Sequence, residues 1–161
     1  MLKHAVAFLA VAGLAISPIV ISAQSQTEQE VAQFIIDLYE YNNTHLQNRP
    51  SDYSKHGSLA FWSSGGMLQE TLATSEPEEY DVFNIRPKHI TVITLVEGQA
   101  AVAHFYAEGS LKPKGLPVAT NYLVRVTVAC VKEDGAWKFR AEHYSAVLGG
   151  SGTSQTAKIT P

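Results

Sequence analysis

The chain has 161 residues, a single cysteine and a formal net charge of −3 at pH 7 with histidine counted as neutral. This length fits one domain, and 45% hydrophobic with 17% charged residues fit a packed core rather than a disordered, collagen-like or coiled-coil chain. The near-neutral charge, without a run of Lys and Arg, lacks the electrostatic pattern of nucleic-acid-binding proteins. We therefore expect a globular domain that binds no nucleic acid.

The N-terminal segment predicts a secretory signal peptide over residues 1–23. Lys3 is followed by nineteen residues, 5–23, that carry no charge, and Ala23 precedes a polar segment. We predict cleavage after Ala23, a secreted or periplasmic protein, and no membrane association after cleavage. The alternative is an uncleaved transmembrane anchor, since a run of this length just spans a bilayer. Pro18 and the lack of a basic stop after the run favour the signal peptide.

The next segment predicts one amphipathic helix from Thr27 to about Leu46. Its apolar residues recur at intervals of three and four positions: Val31, Phe34, Ile35 and Leu38. Thr27 with Glu30 three residues later matches a capping box. Pro50 marks the end of this helical region, and a short second helix that reaches His56 is compatible with the residues that follow.

From Gly57 onward the periodicity is that of strands. The predicted hairpins are Leu59–Trp62 with Met67–Leu72, His89–Val96 with Ala100–Glu108, and Tyr122–Val131 with Trp137–Val147. Asp134-Gly135 between two alternating runs is a strong turn signal. We predict a loop or a helical turn over 74–81, a proline-containing loop over 112–117, and a mobile tail over 149–161.

These elements predict an α+β domain over residues 24–148. One or two N-terminal helices would pack in a strongly curved antiparallel sheet that forms a cone, because long strands twist and curl. The mouth of such a cone is a natural small-molecule pocket. Cys130 lies in an apolar strand pattern, so we expect a buried small hydrophobe rather than a reactive thiol.

Several segments in this order resemble the SnoaL-like branch of the nuclear transport factor 2-like superfamily, over about residues 28–148. They are the long helix and the runs 61–66, 86–90, 101–106, 125–127, 132–138 and 143–145. The association domain of calcium/calmodulin-dependent kinase II has a similar run. The resemblance implies a cystatin-like roll with a pocket between sheet and helices, and homodimers formed through the sheet face. It is poorly specific for activity, because this superfamily holds isomerases, dehydratases, hydrolases and noncatalytic binders.

Pairing the last hairpin about its turn predicts which side chains face the cone. The inner face would hold Val124, Val126, Val128, Cys130, Trp137, Phe139, Ala141, His143 and Ser145. Arg125 and Glu142 would form a cross-strand ion pair on the outer face. A bulge or a three-residue turn would reverse one strand, and Arg125 would then point inward and be able to hold an anionic ligand.

The candidate catalytic residues are His143, His104 and Tyr106. His143 among apolar neighbours would be neutral near pH 7 and able to transfer protons, although a hydrogen-bonded core histidine explains it equally well. His104, Tyr106 and Glu108 alternate along one strand, and they line either the pocket or the outer, solvated or dimer-forming face. The predicted pocket-lining set is Tyr39, Trp62, His104, Tyr106, Val126, Val128 and His143.

Carboxylates distinguish this chain from several enzymes of the superfamily. Ketosteroid isomerases and epoxide hydrolases in it rely on a pocket Asp, whereas no Asp of this chain falls in a predicted strand. The family also often has a second His where Ala141 stands. A dehydratase-type site with a His base and a Tyr helper remains open if Glu108 or Asp37 reaches it. The histidines show no metal-ligand spacing and no phosphate-binding loop follows a strand, so we predict neither metal nor cofactor.

Three functions are compatible with these observations. The first is an exported SnoaL-like domain that binds a small, largely apolar organic molecule. The second is an isomerase or dehydratase that uses a pocket histidine, His143 or His104. The third is a noncatalytic oligomerisation module, as the resemblance to the kinase association domain implies.

Overall fold

A computed structural model describes residues 24–152 of the chain. The elements are α1 (Gln26–His45), a 3₁₀ turn (Pro50–Asp52), β1 (Ser58–Phe61), β2 (Gln69–Thr71), β3 (Tyr80–Val96), β4 (Ala100–Pro113), β5 (Ala119–Glu133) and β6 (Ala136–Ala146). The predicted signal peptide and residues 153–161 of the predicted tail lie outside the described residues. Within residues 24–152, no helix is both long enough and apolar enough to cross a membrane.

The long helix α1 is capped two residues earlier than the sequence pattern indicated. The Ser25 hydroxyl accepts a hydrogen bond from the Glu28 amide at 3.2 Å, and the Glu28 carboxylate accepts one from the Ser25 amide at 3.0 Å. The predicted capping box of Thr27 and Glu30 is therefore wrong. Thr27 is buried, and its hydroxyl accepts a hydrogen bond from the amide of Gly98 in the β3–β4 turn. Two overlapping patterns fit the same segment, and only the tertiary contact distinguishes them.

The six strands form one curved sheet in the order β2-β1-β6-β5-β4-β3. Every neighbouring pair is antiparallel except β1 and β6, which run parallel. The apolar side of α1 packs into the concave face, where Val31 and Ile35 are fully buried. The predicted α+β arrangement, a helix held in a strongly curved sheet, is confirmed.

Strands β3 and β4 are longer than predicted and curve at irregular positions. β3 begins at Tyr80 and β4 ends at Pro113. Residues 80–81 of the first predicted loop and residues 112–113 of the second therefore belong to the sheet. Pro113 is tolerated because it is the last strand residue and pairs with the edge strand. A register shift between Lys88 and Thr91, with His89 in the left-handed region, bends β3 around the helix.

The β5–β6 hairpin turns at the predicted position. Asp134 and Gly135 both have positive φ, 52° and 82°, as a type I′ turn requires. Counted outward from the turn, the residues of the two strands pair regularly as far as Cys130 with Phe139. The next pair is Ala129 with Ala141, so Arg140 has no partner residue and forms a bulge.

This bulge overturns the predicted facing of the second half of β6. Trp137 and Phe139 are buried on the inner face as predicted. Beyond the bulge, Glu142 and Tyr144 point inward, whereas His143 is exposed on the outer face. A bulge adds one residue to one strand, so each later side chain changes face.

Residues 149–152 are attached to the sheet, so the predicted tail does not begin at Gly149. Ser151 forms a bridge with Tyr122, its amide donates to the Asn121 carbonyl, and its carbonyl accepts from the Leu123 amide. Cys130 is buried in the core as predicted, and burial raises the pKa of its thiol to about 12.

Candidate functional site

A cavity of about 290 Å³ lies between the concave face of the sheet, the C-terminal half of α1 and the segment that leads into β1. Eight aromatic side chains contribute to its wall: Tyr39, Tyr53, Trp62, Tyr80, Phe83, Tyr122, Phe139 and Tyr144. Polar and acidic side chains, among them Asn48, Gln69 and Glu70, make up much of the rest. A concave chamber that combines aromatic side chains with polar groups is suited to a small molecule.

A single carboxyl group, that of Glu142, is buried in this wall. Only 4% of the residue is exposed. The Ser58 hydroxyl donates to Oε1 at 2.9 Å and the Tyr144 hydroxyl donates to Oε2 at 2.8 Å. Burial raises the pKa of Glu142 to about 7, against the opposing effect of these two hydrogen bonds. The group therefore exchanges a proton near neutral pH.

Three strand features bring this cluster together. The parallel pairing of β1 with β6 sets Ala60 beside Glu142, so that Ser58, two residues earlier, lies on the same buried face. The β6 bulge turns Glu142 and Tyr144 inward. The Tyr144 ring stacks on Trp62, with centroids 5.0 Å apart and an interplanar angle of 21°.

The other tyrosines of the wall supply neutral hydroxyl groups. Burial raises the pKa of Tyr39 well above its usual value and that of Tyr122 to about 12, so both stay protonated near neutral pH. Asn42 of α1 has an acceptor without a partner: the residue is 5% exposed and its Oδ1 makes no hydrogen bond. The atom is closed off from any water-sized molecule, so it is a cost to the fold and not a contact offered to a ligand.

The mouth of the cavity is acidic. Glu70, Glu76 and Glu78 line it and are exposed. Arg49 is the one cationic residue of the wall within the described part of the chain. Its Nε lies 2.8 Å from the carboxylate of Asp52, so that its charge is already matched.

The structure places two of the predicted pocket residues, Tyr39 and Trp62, in the cavity wall. Val126 and Val128 are buried on the inner face of β5, but they pack in the core and the cavity is lined by other residues.

The predicted catalytic candidates lie on the opposite side of the sheet. The outer face of β4 exposes His104, Tyr106 and Glu108. The residues between them, Phe105 and Ala107, point to the other side and are buried in the core. His143 is exposed there as well, with its ring 6.0 Å from that of Phe61. His143, His104 and Tyr106 are therefore not part of the cavity wall, in contrast to the pocket-lining prediction, and their catalytic role stays a prediction.

The predicted orienting carboxylates are also elsewhere. Glu108 forms an ion pair with Lys88 at 2.9 Å on the outer face, and Asp37 accepts a hydrogen bond from Gln33 on the exposed side of α1. Within residues 24–152, no group of three or more His, Cys, Asp or Glu side chains is arranged to hold a metal ion.

Sequence reasoning missed Glu142, the central residue of the site. Regular alternation assigned it to the outer face as a partner of Arg125, which instead lies opposite Ser145. The only local signal was a carboxyl group two residues before an aromatic residue, Tyr144, in a strand, and such a pair also occurs on solvated faces. No sequence feature marks the bulge that turns the Glu142 side chain toward the inner face.

No protein-family model and no curated protein matches the sequence. Solved structures resemble it over most of its length. A nuclear transport factor 2-like protein of unknown function from Pseudomonas putida is 16% identical, with 84% of this chain and 96% of that chain covered and a TM-score of 0.54. A proposed scytalone dehydratase from Novosphingobium aromaticivorans is 12% identical, with 82% and 89% covered and a TM-score of 0.57.

A further similar structure is a proposed calcium/calmodulin-dependent protein kinase II association domain from Xanthomonas campestris. It is 15% identical, with 81% of this chain and 93% of that chain covered and a TM-score of 0.50. At such identities the likeness concerns the fold. Helix, sheet and cavity together show that the chain has the nuclear transport factor 2-like fold that its sequence resemblance implied.

Proposed function

We propose that the chain binds a small organic molecule with a largely apolar, ring-containing body in the cavity under α1. The observation that carries this proposal is the hydrogen-bonded group of Glu142, Ser58 and Tyr144 set in an aromatic wall. Rings supply contact area for the body of a ligand, and the few polar atoms fix its orientation.

The two tryptophans of the chain provide a test with an internal control. Trp62 lies in the cavity wall, whereas the indole N–H of Trp137 donates to Glu30 outside it. Titration with 2-phenylethanol, followed by ¹H–¹⁵N NMR, should shift the Trp62 indole resonance in a saturable way and leave that of Trp137 in place. Trp62→Phe and Trp137→Phe assign the two signals. The proposal is wrong if probes of this size leave Trp62 unperturbed.

A second candidate function is proton-transfer catalysis of the isomerase or dehydratase type, with Glu142 in the role first given to a histidine. A carboxyl group with a pKa of about 7 is present both ionised and protonated at neutral pH. The ionised form can take a proton from a carbon of the ligand, and the protonated form can return it to another carbon, so that no co-reactant is needed. The Tyr144 hydroxyl donates its hydrogen bond to the same carboxyl group and holds it in place.

Deuterium exchange tests this candidate without knowledge of the substrate. In D₂O, cyclohexanone should gain deuterium next to its carbonyl group faster with the protein than without it. Glu142→Gln should abolish the acceleration, while Glu108→Gln, the same change on the outer face, should preserve it. Equal rates with the native protein and with Glu142→Gln would remove Glu142 as the proton carrier.

We further propose that two copies associate through the outer face of the sheet. Ile93 of β3 and Tyr106 of β4 are 49% and 43% exposed there. Large apolar side chains exposed on one sheet face can form an association surface. One of the similar structures is described as an association domain, which supports the same use of this fold. An oligomerisation role without any ligand is the remaining alternative.

Export remains a proposal that rests on the sequence of residues 1–23. Among the described residues, the first element is α1, and its cap Ser25 lies two residues beyond the predicted cleavage site. Mass spectrometry of the protein recovered from outside the cytoplasm should find Gln24 at the N-terminus. A mass that includes Met1 would contradict cleavage.

A further inference from the structure

We infer that the molecule bound in the cavity carries a positively charged group, an amine or ammonium joined to its apolar body. This inference rests on the proposed binding function and specifies the chemical class of the ligand. It follows from the charge of the wall, from its aromatic rings and from the hydrogen bonds of its buried carboxyl group.

The charged residues of the cavity are predominantly acidic. Four glutamates line it: Glu70, Glu76, Glu78 and Glu142. Within the described part of the chain, Arg49 is the only basic lining residue, and Asp52 lies 2.8 Å from its guanidinium group. A chamber with low-dielectric walls and charges of one sign attracts a ligand of the opposite sign.

The rings of the wall form a surface that suits a cation. The face of an aromatic ring attracts a positive charge, and clusters of such rings recognise ammonium groups. Two cation–π contacts occur among the described residues, Arg49 over Tyr41 at 4.7 Å and Lys132 over Trp137 at 5.5 Å. Both use rings outside the cavity, so among the described residues no protein cation lies over a ring of the cavity wall.

The hydrogen bonds of the buried carboxyl group point the same way. The Glu142 carboxylate accepts from two hydroxyl donors, those of Ser58 and Tyr144, and from no cationic group. An ammonium group brings donors and no acceptor, so it suits the remaining lone pairs of this carboxylate. A carboxylate ligand would face the charge of Glu142. A neutral alcohol would gain one hydrogen bond without the Coulombic attraction.

Three probes of nearly equal size separate these cases: 2-phenylethylamine, 2-phenylethanol and phenylacetate. Their affinities are measured from the Trp62 indole shift at low salt and mildly alkaline pH. We expect the amine to bind about tenfold or more tightly than the alcohol, and phenylacetate to bind most weakly.

Matched variants connect the preference to the named residues. Glu142→Gln should weaken amine binding by about tenfold and change alcohol binding by less than about twofold. The exposed double variant Glu70→Gln/Glu76→Gln gives a smaller loss in the same direction and leaves the interior intact. Glu108→Gln, on the far face of the sheet, should leave all three affinities unchanged.

The outcomes distinguish this inference from the proposed function. If 2-phenylethanol or phenylacetate shifts Trp62 at equal or lower concentration than the amine, the cavity binds small molecules but the positive charge is wrong. If no probe shifts Trp62, the binding proposal fails and this inference fails with it.

Discussion

Glu142 shows how burial determines the chemistry of one residue. The same side chain on the outer face would be an ordinary surface carboxylate, as Glu108 is in its pair with Lys88. Under the helix, burial raises the pKa of Glu142, and the hydroxyl groups of Ser58 and Tyr144 limit the rise to a value of about 7. These two donors therefore tune the pKa of the site.

The raised pKa predicts how this residue contributes to stability. The folded chain holds the Glu142 proton more tightly than the unfolded chain, so the contribution is fully present below about pH 4.5 and is lost as pH rises to about 7. The full effect is about 3 kcal/mol. Urea unfolding across this range should show the stability of Glu142→Gln rising relative to the native protein by about that amount.

The exposed glutamate on the other face is the control for this measurement. Glu108→Gln makes the same chemical change outside the cavity, so it separates the effect of the substitution itself from the effect of burial. A constant difference between Glu142→Gln and the native protein across the range would contradict the raised pKa.

At the scale of single elements, irregular positions shape the site. The bulge at Arg140 turns the end of β6, and the left-handed residue His89 lies at the bend of β3. Gly109 of β4 lies opposite Ile85 of β3 with a φ of +146°. A Cβ atom on Gly109 would sit 1.9 Å from the carbonyl oxygen of Asn84. Only glycine fits where the two strands approach so closely.

Gly109→Ala should therefore destabilise the fold by about 3 kcal/mol or more, because the backbone of β3 must move. Gly115→Ala is the matched control: Gly115 has a φ of +76° but no atom within 4 Å of an added Cβ. Its cost should be limited to about 1 kcal/mol of backbone strain. Thermal unfolding of the two variants measures the difference, and equal losses would contradict the close approach.

The start of α1 gives a second prediction at this scale. Ser25→Ala removes the acceptor for the Glu28 amide and should cost about 1 kcal/mol, whereas Ser25→Asp should retain the cap. Chemical unfolding of the three proteins checks this. If alanine and aspartate at position 25 are equally destabilising, the hydrogen bond is not the source of the effect.

At the scale of the whole molecule, the two faces of the sheet carry different kinds of residues. Its concave face holds α1 and the cavity, and its convex face carries exposed apolar residues and the histidines His104 and His143. The sheet separates the two surfaces, so association and ligand binding are expected to be separable by mutation.

Sedimentation measurements test the association. The native domain should sediment as a dimer at micromolar concentration, and Ile93→Asp/Tyr106→Asp as a monomer, because buried unpaired charges oppose contact. The double variant should still show the Trp62 shift with 2-phenylethanol. Leu148→Asp, at an exposed residue beyond β6, should stay dimeric. A native protein that sediments as a monomer would rule out this interface.

The sequence by itself determined the fold. The 3.6-residue period of Val31, Ile35 and Leu38 defines the buried side of α1, and strand alternation with the Asp134-Gly135 turn defines the last hairpin. These are local signals, since each depends on residues that are neighbours in the chain. They also sufficed to place Tyr39 in the cavity wall.

Only the tertiary structure decided which polar groups form the site. Whether Glu142 or His143 faces inward depends on one extra residue in β6, and the donor Ser58 comes from β1, 84 positions away in the sequence. A strand has a period of two, so a single bulge exchanges its faces without a change in composition or pattern. Contacts between distant segments, which leave no local signature, selected the residues available for chemistry.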